Sequence, residues 1–216
     1  MLPLVVRNKA GLRVLCLGAH CDDIEIGCGG TLLKWLEERA GKVRIDWVVL
    51  SSTPERKQEA LRSARRFLKN ATSKNIVVER FEDSFFPYHG EEIKRYIHHL
   101  SQQISPDVIF THYRQDLHQD HRLVSELTWN AFRDHWILEY EIPKYDGDLG
   151  SPNVYVPLDQ SVCRNKSNFI VKAFRSQRSK SWFRKETFQS LQRLRGVECN
   201  SHSGYAEAFY GRKIVL

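Results

Sequence analysis

Between residues 13 and 111 the chain alternates four times between a short apolar run and a segment of helical period. The apolar runs are 13–18, 43–51, 75–81 and 107–111. Helical segments follow at 24–39, after Thr53-Pro54, and after Pro87-Tyr88-His89-Gly90. In the second, Thr53 reads as an N-cap and Pro54 as a first helical residue, whose missing N–H costs nothing there. In the third, Ile93, Tyr96, Ile97, Leu100 and Ile104 share one face. Strand–helix alternation of this kind predicts an α/β fold, a mostly parallel sheet flanked by helices in a Rossmann-like arrangement.

Two of the four predicted strands run straight into charge. Val14-Leu15-Cys16-Leu17-Gly18 leads into Ala19-His20-Cys21-Asp22-Asp23. Val108-Ile109-Phe110-Thr111 leads into His112 and then His118-Gln119-Asp120-His121. Carboxylates at the end of a buried strand are costly unless something pairs with them. In doubly wound sheets the first and fourth strands commonly lie together where the winding reverses, and ligands bind outside their carboxyl ends. The expected active site is therefore at the carboxyl ends of these two strands, with the charged clusters facing each other.

The second half is less regular. Residues 120–133, 159–176 and 181–195 read as helices, 136–142 as a strand, and 146–153 as a turn-rich loop of the kind that rims a site. The tail from Ala206 to Leu216 ends in a predicted strand. No repeat, low-complexity stretch or linker interrupts the 216 residues, so the reading is one domain over 1–216.

Charge and cysteine content narrow the function classes. The formal net charge is +7. From Arg164 to Arg195 there are ten basic residues and one acid, Glu186. That face is either a solvated helical surface or a wall attracting an anionic substrate. No nucleic-acid motif accompanies it. Gly27-Cys28-Gly29-Gly30 lacks dinucleotide spacing, and these glycines instead suggest close backbone approach. Five cysteines without zinc-ribbon spacing suggest a reducing compartment, and Cys16 reads as core. Residues 1–12 have no long apolar stretch of signal-peptide type, and no run is long enough to span a bilayer. The expectation is a cytoplasmic protein.

The two clusters supply a full ligand set. His20, Asp23 and His121 offer three ligands for a divalent cation such as Zn2+, leaving one position for water. Asp22 is then the candidate to accept that water's proton. His118 is a candidate to protonate a leaving nitrogen or to hold the oxyanion, and Asp120 to orient an imidazole. Each cluster has a plainer reading taken alone. Two Asp residues after a strand often cap a helix, and a single His-x-Asp-His usually faces solvent. Their joint placement after the switch-point strands favours the metal. His89, His98, His99, His135 and His202 have no partner pattern, and His112 is read either as part of the cluster or as support for its loop.

Ala19-His20-Cys21-Asp22-Asp23 with His118-Gln119-Asp120-His121 resembles the PIG-L/LmbE-type zinc-dependent N-deacetylases, whose motifs are Ala-His-Pro-Asp-Asp and His-x-Asp-His. The resemblance extends to Arg56-Lys57-Gln58-Glu59, Ser176-Gln177 and Tyr205-Ala206-Glu207-Ala208-Phe209. It implies a Rossmann-like fold and removal of an N-acetyl group from an N-acetylglucosamine-type conjugate. Carried over by position, it makes His20, Asp23 and His121 the metal ligands and Asp22 the general base. His118 becomes the electrophilic or acid histidine, supported by Asp120, and Arg56 approaches the substrate. Cys21 departs from the family, standing where proline is usual.

The resulting reading is a zinc-dependent N-deacetylase. Its expected partner is a small amino-sugar substrate, anionic or nucleotide-linked conjugates included. No nucleic acid is expected, and a homo-oligomer is allowed. A non-sugar N-acyl substrate is the alternative, and a metal-free binding module the more distant one.

Overall fold

The computed structural model describes residues 11–214. Four parallel strands form its first half: β1 (Leu12–Gly18), β2 (Val43–Ser51), β3 (Ser73–Phe81) and β4 (Val108–His112). They are followed by α1 (Asp23–Glu38), α2 (Pro54–Phe67), α3 (Gly90–Gln103) and α4 (Gln119–Ala131). The chain continues through β5 (Trp136–Tyr140), β6 (Val154–Pro157), α5 (Gln160–Ala173), α6 (Lys185–Glu198) and β7 (Ala206–Gly211). One seven-stranded sheet results, in the order β3-β2-β1-β4-β5-β7-β6.

The predicted switch point is present. β1 and β4 pair in parallel, with Val14 opposite Val108, Leu15 opposite Ile109 and Cys16 opposite Phe110. Side chains of β1 alternate between the two faces, as strand geometry requires. Val14 and Cys16 enter one core with α1 and α2 residues such as Leu32, Ala64 and Phe67. Leu15 and Leu17 enter the other with Ile93, Ile97 and Val124 of α3 and α4. Both cores are apolar, so the sheet ends are where polar groups can gather.

Local signals explain several boundaries. Thr53 Oγ1 accepts the Arg56 N–H at 3.3 Å, and Pro54 opens α2 as predicted. The α1 glycines serve close approach. A Cβ on Gly27 would come within 2.2 Å of the Tyr140 ring, and one on Gly30 within 2.7 Å of the Glu207 carboxylate. Gly30 and Thr31 N–H donate to Glu207 at 2.7 and 2.6 Å. Ile26 O of the same helix also accepts from Lys166 Nζ at 2.6 Å. The Lys166–Glu207 ion pair (2.6 Å) thus ties α5 and β7 to this stretch of α1.

The second half departs from the sequence reading in detail. Ile104 lies just beyond α3, in extended conformation, because the helix stops short of Pro106. The fifth strand ends at Tyr140, and the sixth, Val154–Pro157, had no counterpart in the reading. The predicted helix 159–176 is α5 to Ala173 and then a separate 3-10 turn, Arg175–Gln177. The helix predicted from 181 starts at Lys185. Its Arg184 side chain donates to the carbonyls of Arg178, Lys180 and Phe183, holding that entry as a loop. The last strand is Ala206–Gly211 and pairs antiparallel with both β5 and β6. Residues 1–10 and 215–216, on which the signal-peptide reading and the end of the predicted tail strand fall, lie outside the described residues.

Candidate metal centre at the β1/β4 switch point

The loop after β1 is held from both neighbouring strands. Ser51 N–H of β2 donates to Ala19 O at 2.8 Å, and Ala19 N–H donates to His112 Nε2 of β4 at 2.9 Å. His20 N–H donates to Asp23 Oδ2 at 2.6 Å, tying the loop to the first residue of α1. On the other side, His118 caps α4, its Nδ1 accepting the Asp120 N–H at 3.2 Å. Asp23 and Asp120 thus occupy first turns, where the positive end of the helix dipole favours carboxylates.

Three donors from the two clusters meet in a triangle. His20 Nδ1 and His121 Nε2 are 3.1 Å apart. Asp23 Oδ2 lies 3.5 Å from the former and 3.6 Å from the latter. Tetrahedral ligands bound at about 2.0–2.2 Å stand roughly 3.3–3.5 Å from one another, so the triangle has the dimensions a small divalent cation requires. All three residues are buried. Further groups of potential ligands crowd the same spot, among them His20, Asp83, His118 and Asp120, and Asp23, His112 and His121.

Protonation follows from the surroundings. Burial, aided by nearby His112, lowers the His121 pKa to about 4, so this ring is neutral. Its Nδ1 faces Asp116 Oδ2 at 2.9 Å, which leaves the Nε2 lone pair to the triangle. Burial opposes a charge on His20, but hydrogen bonds to Asp120, Asp23 and Asp83 outweigh it and raise the pKa well above that of free imidazole. Asp23 is buried too, yet His121, His112 and His20 hold it well below the usual carboxylate range. For Asp22 burial prevails and the pKa is raised, against the opposing pull of Arg56.

The remaining predicted residues lie around this triangle. Arg56 Nη2 donates to Asp22 Oδ1 at 2.7 Å, so the arginine reaches the carboxylate beside the cage. The His118 ring stacks on His121 and stands edge-on to His20, at centroid distances of 4.6 and 4.8 Å. Asp120 Oδ2 lies 3.0 Å from His20 Nε2, and the same carboxylate accepts the Ser84 and Phe86 N–H groups. Its side chain therefore orients His20, while only its backbone touches His118. Cys21 Sγ donates to Ser51 O at 3.2 Å, and burial raises its pKa to about 12, so the thiol is turned from the cage and protonated.

Two contributors were not singled out in the sequence, and a third had been left open. Asp83, from the loop after β3, approaches His20 Nε2 at 3.1 Å. Asp116 holds His121. His112, left open above, is fully buried with its ring stacked on His121 at 3.9 Å. Asp116 stands only two residues before His118 in a run of polar residues, a signal available to a reader looking for second carboxylates. Asp83 had none.

Residues 15–132, more than half of the chain, match the family model described as "PIG-L: GlcNAc-PI de-N-acetylase". The chain belongs to the PIG-L family. It is accordingly an N-deacetylase, a hydrolase of an amide bond. Solved structures share the fold of this PIG-L protein at low identity. The conserved protein TT1542 from Thermus thermophilus is 22% identical, with TM-score 0.69, over 95% of this chain and 96% of that one. An N,N'-diacetylchitobiose deacetylase from Pyrococcus horikoshii is 19% identical, with TM-score 0.70, over 94% and 85%. GalB, a 4-carboxy-2-hydroxymuconate hydratase from Pseudomonas putida, is 16% identical, with TM-score 0.73, over 95% and 98%. A hydratase on the same architecture means that fold alone does not choose the reaction.

Other marks shared with the PIG-L family have structural work. Glu59 of the Arg-x-x-Glu run accepts the Ser176 N–H and hydroxyl at 3.1 and 2.6 Å, joining α2 to the 3-10 turn. Glu207 serves α1 as described. The basic 164–195 segment is not uniformly solvated: Lys166 is buried against Glu207, and Arg195 against Glu141 at 2.7 Å. No helix among the described residues is long and apolar enough to cross a membrane.

Proposed function

We propose that this PIG-L protein removes the N-acetyl group from an N-acetylglucosamine-type conjugate, using a divalent cation, zinc by preference, held by His20, Asp23 and His121. The observation that carries this reading is the donor triangle of 3.1, 3.5 and 3.6 Å, with a neutral His121 and an ionised Asp23. Nitrogen and carboxylate donors suit zinc, although the same set accepts other divalent metals. When bound, the cation supplies Lewis acidity and acidifies a water.

The chain's own residues then divide the proton and charge work. Asp22 accepts the proton of the attacking water, its Oδ1 fixed by Arg56 and its basicity raised by burial. His118 has its Nδ1 occupied as an acceptor of the Asp120 N–H. In the neutral ring the proton therefore sits on Nε2, and the residue serves as a donor to the carbonyl oxygen as that atom gains charge. Burial, with charged His20 close by, lowers the His118 pKa and keeps it in this neutral form. Arg56 acts through Asp22, in addition to any contact with substrate. Asp120 keeps the His20 ring in plane.

Five buried, free cysteines support a reducing compartment such as the cytoplasm. The test is release of acetate from a panel of N-acetylglucosamine conjugates and simple N-acetyl amines, with and without a chelator. Chelator-sensitive release from the sugars supports the reading. Release only from non-sugar amides moves the substrate class, and release indifferent to chelation removes the cation.

A further inference from the structure

The far side of the cage is held by a chain of charges that reaches into another loop. Asp116 Oδ2 faces His121 Nδ1 at 2.9 Å. Its Oδ1 accepts the His118 N–H at 2.8 Å and stands 3.1 Å from Lys144 Nζ. Lys144 also pairs with Asp148, whose Oδ2 accepts the Leu117 N–H at 2.7 Å. The Lys144 and Asp116 side chains are only 9% and 2% exposed. Lys144 and Asp148 both belong to the connection between β5 and β6, a segment absent from the two signature clusters.

The geometry has a specific consequence for the imidazole. A carboxylate that accepts from Nδ1 fixes both the tautomer and the ring plane, and partners of this kind tune how strongly a metal is held. One hydrogen bond leaves the carboxylate free to swing about its own axis. Here the second oxygen is pinned by the His118 backbone and by Lys144, so the plane of Asp116 is set at both ends. A buried carboxylate also needs a counter-charge, and Lys144 is the nearby cation with no other function in the site.

We propose that Asp116 and Lys144 are positioning residues of the metal centre: they lock His121 with Nε2 directed into the cage, so the β5–β6 connection governs how tightly the cation is held. The proposal rests on the reading of His121 as a ligand. It predicts that the strength of the site depends on a lysine that stands outside the donor triangle and reaches it only through Asp116.

Lys144→Met, Lys144→Arg, Asp148→Asn and His121→Ala are made in the full chain, and folding is checked by circular dichroism. Zinc affinity is measured by chelator competition, the Co2+ form by its visible spectrum, and kcat and KM on the amide found to be cleaved. Lys144→Met is expected to weaken zinc roughly 10–100-fold, alter the Co2+ bands and lower kcat with little change in KM. Lys144→Arg restores most of the loss. Asp148→Asn moves in the same direction by less, and carries the test if Lys144→Met does not fold. Wild-type zinc affinity and cobalt spectrum in folded Lys144→Met, with zinc lost from His121→Ala, overturn this proposal alone. Undiminished zinc in His121→Ala overturns the ligand reading, and the proposal with it.

Discussion

Arg56 Nη2 lies 2.7 Å from Asp22 Oδ1, and this ion pair is largely shielded from water. A guanidinium so placed stabilises the ionised form of the carboxylate we assign as general base. Replacing Arg56 with methionine should therefore raise the Asp22 pKa further. The acid limb of the kcat/KM profile then moves to higher pH, with lower activity below it. A profile that only scales down, with its limb unmoved, would assign Arg56 to substrate contact instead.

Asp22→Asn removes the proton acceptor while leaving the donor triangle intact. Zinc content should stay at the wild-type level, and kcat should fall about 10²–10⁴-fold, the range typical for loss of a general base. Metal analysis and steady-state kinetics on one preparation check both halves. A wild-type rate would take Asp22 out of the reaction.

Metal uptake should compete with a proton. In the metal-free protein His20 keeps its proton well above the 6.5 of free imidazole, and a cation at Nδ1 must displace it. Affinity should rise as the pH climbs through neutrality, with protons released on binding. Titration calorimetry in two buffers of different ionisation enthalpy measures the release. Affinity that is flat from about pH 6 to about pH 8 would argue against His20 as a ligand.

Glu25 lies in the first turn of α1, fully buried beside the Ser63 side chain. Burial raises its pKa from 4.5 to about 8. The folded state then binds a proton that the unfolded state has already lost. Stability from this group is accordingly present at low pH and lost as the pH rises from 4.5 towards about 8. Glu25→Gln should raise the melting temperature at alkaline pH by several degrees and flatten the slope. Melts of both proteins across that range test it, and parallel slopes would refute it.

Much of the fold was legible because its first half obeys local rules. β1 to β4 and their helices follow hydrophobic period, the Thr53 cap and proline stops, and the pairing of β1 with β4 follows from how such sheets wind. Past Tyr140 the sheet turns antiparallel, and β6 is too short and half-exposed to show a period. The site divides the same way. His20, Asp22, Asp23, His118, Asp120 and His121 sit at the ends of periodic elements, so pattern pointed at them. Asp83 and Lys144 reach the cage from loops whose path is set by tertiary packing alone. Within the basic run at 164–195, Lys166 and Arg195 leave the exposed face for a related reason, since they find acids far away in sequence.

The grip of Glu207 on α1 also bears on how the first helix is secured. The helix begins at Asp23, and its Gly30 and Thr31 amides donate to a carboxylate 177 and 176 residues further on. Until that stretch is in place, Lys166 lacks its acidic partner. The helix that carries Asp23 thus gains this anchor only when β7 docks.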